Sequence, residues 1–319
     1  MFKRPTIHTK SGPLSCPLFY SDWHSNLCRR VVLASISISS ILLFIIDGSA
    51  ENESPVTFSP IHVELVSDQL AIQPGRPFSI GIYQTIQSEY HTYWRNAGTV
   101  GLPTVIQWKL PKGFEASEIL WPTPEISKMA DYAVWGYHDK ALLLTQITPP
   151  KDFPTEKTIE LTGEASWMCC GTQCHPGFKT LSIKLNSSDT ATPNLDWQSQ
   201  FQSVRDEQPR AFDQWSVKAT RKGNHYTLQL TTNQPISSAF SSQPRFYGFH
   251  RQVSSAKPQR IEILKTGYIL HLQHEEFSGE DSKTLDGIVV SDTPWDPKYP
   301  RSPLLINTAL AIEDEFEAP

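Results

Sequence analysis

The feature that most limits what this chain can fold into is a period of two. Apolar and polar residues alternate in short runs, each closed by a turn, at His62–Val66, Phe78–Tyr83, Thr104–Trp108, Ala141–Thr145, Lys157–Leu161 and Thr180–Leu185. A strand sends successive side chains to opposite faces, so such runs read as half-buried β-strands, and their close spacing points to a β-sandwich of immunoglobulin-like type. The turn Gln73-Pro-Gly-Arg-Pro77 separates the first two runs. An excess of 25 Pro over 16 Gly, with 11% aromatic residues, fits the same all-β reading.

After a polar turn at Asn186–Asp189 the pattern changes. Thr192-Pro193 reads as an N-cap and first helical position, followed by Leu195, Trp197, Phe201 and Val204 on one face. This predicts one short amphipathic helix over about 193–206 inside a linker, 189–214. A second strand series then begins at Trp215–Ala219 and continues through Tyr226–Leu230, Arg260–Leu264, Tyr268–Leu272, Gly287–Val290 and Leu304–Asn307. The expected organisation is therefore a β-sandwich over 55–188, the linker, a second small β domain over 215–312, and an acidic tail, 313–319.

Charge separates the first fifty residues from the rest. They carry a net +3, from Lys3, Arg4, Lys10, Arg29 and Arg30 against Asp22 and Asp47, whereas the whole chain carries −5. The remainder is acidic and has no basic stripe to neutralise phosphates, which argues against nucleic acid as a partner. Arg29-Arg30 precedes the apolar stretch Val31–Ile46, and Asp47-Gly48-Ser49-Ala50 closes it with small residues at −3 and −1. This is the layout of a secretory signal peptide cleaved after Ala50, with an uncleaved N-terminal anchor as the alternative; the apolar run is shorter than the ~20 residues that span a bilayer. The expected product is a soluble, exported (periplasmic) protein.

Of five cysteines, Cys16 and Cys28 belong to that leader, and the other three, Cys169, Cys170 and Cys174, fall within six residues. A disulfide framework would scatter its cysteines to close long loops; clustering points to redox chemistry or a thiophilic metal. The segment Trp167-Met-Cys-Cys-Gly-Thr-Gln-Cys-His-Pro176 lies between strand signals at 157–168 and 178–185. The spacing predicts a hairpin in which Cys170 and Cys174 flank a short loop and face each other with Cα atoms ~4.5–5.5 Å apart, inside the range that a disulfide bridges. A helix would also bring i and i+4 together, but with parallel Cβ bonds, and Gly171 and Pro176 disfavour it. One detail disagrees: three-residue hairpin loops prefer glycine last, and Gly171 comes first. Cys169 is expected on the opposite face, as an ordinary buried small residue and an extra thiol. A bridge over so short a loop removes little unfolded-state entropy, which favours an exchange role over a structural staple without deciding between them.

These residues resemble the N-terminal periplasmic domain of the DsbD/ScsB family of thiol:disulfide interchange proteins. The match is Trp167-x-x-Cys170-x3-Cys174-x-Pro176, together with His91-Thr-Tyr-Trp-Arg-Asn-Ala-Gly98, Gly101-Leu-Pro103, Trp121-Pro-x-Pro124 and Trp135-Gly-Tyr137. It covers about 60–188, and 215–310 is similar to the second β domain of the ScsB-like branch. The resemblance implies a thiol:disulfide oxidoreductase that relays electrons from a membrane reductase to periplasmic thioredoxin-like or isomerase proteins. It implies Cys170 and Cys174 as the redox pair, no cofactor beyond that disulfide, and a cap loop. By position the cap is Ile126–Tyr137, with Tyr132, Trp135 and Tyr137 as covering aromatics. Family members commonly continue into a multi-span membrane domain, which this sequence does not show, so the expected electron source acts in trans. Gly171-Thr-Gln173 also replaces the charged residues often found between the two cysteines.

Two other readings compete. Met168, Cys169, Cys170, Cys174 and His175 form a soft donor set suited to copper or zinc, in keeping with the association of the ScsB branch with copper tolerance, although strand alternation separates Cys169 from Cys170. A non-catalytic binding module with a structural hairpin disulfide is the other; it has eight tryptophans after the leader to offer a ligand, and it leaves the cysteine cluster without a task. His271 and His274 are spaced so that a strand sends them to opposite faces, which argues against a metal pair.

Overall fold

A computed structural model describes residues 59–236, 243–279 and 282–313. The proposed leader, 1–50, and the tail beyond Glu313 lie outside the described residues. The first part of the chain forms β1 (Ile61–Ser67), β2 (Gln69–Ile72), β3 (Phe78–Ile86), β4 (Thr92–Gly98), β5 (Val105–Lys109), β6 (Glu115–Ala116), β7 (Glu125–Met129), β8 (Tyr132–Tyr137), β9 (Lys140–Thr148), β10 (Thr158–Cys170), β11 (Cys174–Ser187) and β12 (Thr192–Pro193). A helix, α1 (Gln198–Asp206), leads to β13 (Trp215–Lys222), β14 (His225–Thr232), β15 (Arg245–Gly248), β16 (Arg260–Leu264), β17 (Gly267–Gln273), β18 (Thr284–Val290) and β19 (Leu304–Glu313). The chain is all-β, an immunoglobulin-like sandwich followed by a second β domain.

The sandwich packs the sheet β1-β3-β9-β6 against β12-β2-β11-β10-β5. Ile80, Ile82, Leu143 and Ile147 from the first sheet meet Ile159, Leu161, Leu181 and Leu185 from the second in one core. The run Ala141–Thr145 is buried throughout rather than alternately. Its reason is α1: Phe201 and Val204 cover Leu142 and Leu144 from outside, while Ala141 and Leu143 face the sandwich core.

The helix starts later than its sequence pattern predicts. Thr192 and Pro193 are not its cap and first turn; they pair as β12 with β2. Asn194 then donates its backbone N–H to the Asp68 carbonyl (2.9 Å) and its side-chain amide to the Ser67 carbonyl (3.1 Å), which holds the chain extended. Only after this anchor does the chain turn helical at Gln198.

A third, smaller sheet, β4-β8-β7, lies between the sandwich and the second β domain, whose strands form the sheet β15-β18-β19-β13-β14-β17-β16. Leu228, Leu230, Leu270, Leu272, Leu285 and Ile306 fill the core of the second domain. The two cores touch, because Tyr247 and Ile288 of the second belong to the packing of the first. Polar contacts finish the junction. The buried Asn96 amide donates to the carbonyls of Gly248 (2.8 Å) and His250 (3.0 Å). Ser255 donates to the Ala133 carbonyl on β8 (2.6 Å) and accepts the Thr99 N–H (3.0 Å), and the Thr99 hydroxyl donates to Glu275 (2.6 Å). Buried carbonyls stripped of a donor carry their full desolvation cost. Asn96→Ala is therefore expected to lower stability by about 1–3 kcal/mol, read from the midpoint of urea unfolding.

Candidate functional site

β10 and β11 pair in antiparallel register from Thr158↔Asn186 to Cys170↔Cys174. At the end of this ladder Cys170 and Cys174 are joined by a disulfide, with Cα atoms 4.1 Å apart, around the loop Gly171–Gln173. Cys170 is also held from its other side. It exchanges both backbone hydrogen bonds with His91, just before β4: His91 N–H to Cys170 O at 2.8 Å, and Cys170 N–H to His91 O at 2.9 Å. This second neighbour explains why glycine comes first in the loop. A Cβ at Gly171 would lie 2.8 Å from the Glu89 carbonyl oxygen and 3.0 Å from the Tyr90 ring. The glycine answers a close approach rather than a left-handed turn.

Alternation along β10 sends its adjacent cysteines to different environments. Cys169 is buried in the sandwich core, and burial pushes its thiol up to about 12. Cys170 is 0% exposed on the other face, packed with Tyr93, Ala97 and Val134, with Met129 and Met168 beside them. Cys174, its bonded partner, is exposed, and its Sγ lies 3.9 Å from Met129 Sδ. One sulfur of the bridge thus faces solvent and the other sits under a cover.

The cover comes from β4 and the β7–β8 hairpin, the region expected to carry the cap, but different side chains do the work. Tyr132 pairs with Met129 at the end of the hairpin and is exposed. Trp135 and Tyr137 are turned away into the sandwich core. The Tyr137 hydroxyl donates to the Pro122 carbonyl (2.9 Å), and this bond joins two of the motifs read from the sequence. The alternation of β8 accounts for the exchange, since placing Val134 over Cys170 directs Trp135 inward. Gly136 allows the strand to approach: a Cβ there would lie 1.8 Å from the Thr92 carbonyl oxygen.

The five residues of the soft-metal reading do not converge. Cys169 and His175 are register partners on the inner face of the β10–β11 ladder, whereas Met168, Cys170 and Cys174 belong to the outer face. His175 makes an edge-on ring contact with Tyr90 at 5.7 Å. Among the described residues no group of three or more His, Cys, Asp or Glu is placed to hold a metal ion.

His91 is a member of the site that the sequence reading used only as part of a motif. It is 3% exposed, and its Nε2 has no hydrogen-bond partner. Its ring lies 5.1 Å from Tyr93 and 6.1 Å from His138. Burial first, and the neighbouring His138 second, lower its pKa to about 4, so the ring is neutral near pH 7. His138 in turn contacts Glu125 (Nδ1···Oε2, 2.9 Å) and Ser127 (Nε2···Oγ, 3.0 Å).

Residues 62–186 match the family model described as "Thiol:disulfide interchange protein DsbD, N-terminal". Over these residues the sandwich is similar to a DsbD N-terminal domain. The match contains the β10–β11 hairpin up to Asn186, both bonded cysteines and the cover. Beyond it, the chain is similar in fold to the N-terminal periplasmic domain of ScsB from Proteus mirabilis, at 16% identity and a TM-score of 0.56, over 80% of this chain and 94% of that one. That likeness extends past the DsbD N-terminal domain into the second β domain. A protein of unknown function from Porphyromonas gingivalis (9% identity, TM-score 0.22, 80% of this chain and 100% of that one) and the pilin subunit BcpA of Bacillus cereus (10%, 0.24, 80% and 69%) also align. No curated protein matches the chain. Among the described residues no helix is long and apolar enough to cross a membrane.

Proposed function

We propose that this protein is an exported thiol–disulfide exchange protein. In this reading it passes reducing equivalents through Cys170 and Cys174, from a membrane thiol reductase acting in trans to periplasmic thioredoxin-like or isomerase proteins. The observation that carries the proposal is the asymmetry of the bridge, with Cys174 exposed and Cys170 covered. Exchange proceeds by in-line attack of a thiolate on one sulfur of a disulfide. A partner thiolate attacks Cys174 Sγ, the Cys170–Cys174 bond breaks, and Cys170 leaves with the electron pair and takes up a proton. A mixed disulfide now joins the partner to Cys174. The partner's second thiolate attacks its own bonded sulfur and releases Cys174 as a thiolate, so the partner ends oxidised and the hairpin reduced. The same steps in reverse reduce a downstream partner. The cover restricts access to Cys170, so small thiols have one sulfur to reach and a docked dithiol protein has an aligned one.

The test is to mix the oxidised protein with a reduced thioredoxin-like protein and follow opening of the bridge by thiol labelling and mass spectrometry. Opening at least about tenfold faster than with glutathione at equal thiol concentration is expected. A bridge that stays closed to every such dithiol protein would leave it a structural staple.

A further inference from the structure

Exchange at a covered sulfur raises a problem of protons. Cys169, one residue away and equally buried, shows what burial does to a thiol here: it is pushed up to about 12. Once the bridge opens, Cys170 lies under its own cover of Tyr93, Ala97, Val134 and two methionines, none of which takes a proton near neutral pH. The reverse attack needs this sulfur as a thiolate.

The strand register supplies a base. Directly opposed residues of an antiparallel pair leave the sheet on the same side. His91 is opposed to Cys170, and Cys170 to Cys174, so the three side chains form one row across the hairpin and the segment entering β4. The row runs from an exposed sulfur, through a covered sulfur, to a covered imidazole whose Nε2 has no partner. A buried polar atom left unpaired calls for a reason, and a role in one redox state supplies it. The titratable groups around the ring are Tyr93 on β4, Cys170 on β10, and His138 after β8, with Glu125 of β7 behind His138. His138 and Glu125 are partly exposed, so the polar groups nearest the ring reach the surface.

We infer that His91 is the proton acceptor for Cys170. This rests on the exchange reading above and adds a residue to it. When Cys170 attacks the mixed disulfide at Cys174, its S–H proton passes to His91 Nε2. The Cys170–Cys174 bond forms, the bond from Cys174 to the partner breaks, and the partner leaves as a thiolate with the electron pair. The imidazolium then gives up its proton to solvent. When a partner opens the bridge, the sequence reverses and the departing Cys170 receives its proton from the ring. A thiolate forming beside the ring favours the imidazolium, so the proton affinity of His91 depends on whether the bridge is closed.

The test begins with the unaltered protein. Ring-nitrogen NMR follows His91 through a pH titration in the disulfide and dithiol forms. The account expects a ring that stays neutral down to about 4 in the disulfide form, and a proton affinity at least about tenfold higher in the dithiol form. Identical titrations in the two forms would overturn it. In His91→Gln the rate at which reduced protein reacts with an oxidised thioredoxin-like protein should fall at least about tenfold near pH 7 and then climb about tenfold per pH unit, as for a thiol deprotonated by solvent. A variant with the wild-type rate and profile would also overturn the assignment, and if the variant does not fold, the wild-type titration decides. Rapid exchange with no redox-dependent change at His91 removes only this role, whereas a bridge inert to dithiol proteins removes the exchange reading as well.

Discussion

Trp135→Ala is expected to lower the free energy of unfolding by about 3–5 kcal/mol, the usual range for truncating a large aromatic in a core. Trp135 is 1% exposed. Its ring meets Trp94 edge-on at 6.2 Å and Tyr247 at 5.3 Å, and Trp94 also contacts Tyr247 and Phe249, at 6.3 and 5.9 Å. Trp94 and Trp135 come from the sheet that covers the disulfide, and Tyr247 comes from β15 of the second domain. The substitution therefore opens a cavity where the two cores join, with aromatic neighbours on both sides that cannot collapse into it without moving a strand. Single domains are stable by only about 5–15 kcal/mol, so this loss is a large share of the whole. The same strand carries Val134 over Cys170, so the variant should also react faster with small reductants at its bridge. Urea unfolding measures the first effect, and a loss below about 1 kcal/mol would show that the junction is not packed as described.

The second large effect separates the three cysteines. In the reduced protein, iodoacetamide should modify Cys174 at least about 100-fold faster than Cys170, because thiol reactivity follows exposure and thiolate character. Cys174 is exposed and Cys170 is fully buried. Cys169 should stay unmodified until unfolding, since it is buried in the sandwich core with its thiol pushed up to about 12. Peptide mass spectrometry over a time course resolves the three sites. Equal rates at Cys170 and Cys174 would mean that the cover offers no protection.

The hairpin was the most legible part of the sequence. Its spacing places Cys170 opposite Cys174, and its alternation places Cys169 inward, and both relations are local. The strand runs were legible for the same reason. The cover was harder to read. In β4 nearly every residue is buried, because the sandwich lies on one side and the second domain on the other, so the period-two signal disappears. Asn96 and Thr99 look like loop polar residues until their partners, more than 150 positions away, are seen. Trp135 and Tyr137 carried the expected aromatic character but not its direction, which depends on the register of β8. Met129 gave no signal, since a methionine in a turn-flanking strand has no distinguishing pattern. His91 stood inside a recognisable motif, yet its place beside Cys170 follows from one isolated bridge between distant strands. The helix start failed for a related reason: Thr192-Pro193 has good local helix chemistry, overridden by pairing with β2.

The most direct measurement is trapping of the mixed disulfide. A thioredoxin-like protein whose second active-site cysteine has been removed is offered to two variants, Cys170→Ala and Cys174→Ala, each activated at its remaining hairpin cysteine as a small-molecule mixed disulfide. The account predicts a covalent adduct through Cys174 in Cys170→Ala and little or none through Cys170 in Cys174→Ala. Adducts formed equally well by both variants, or through Cys170 alone, would contradict it.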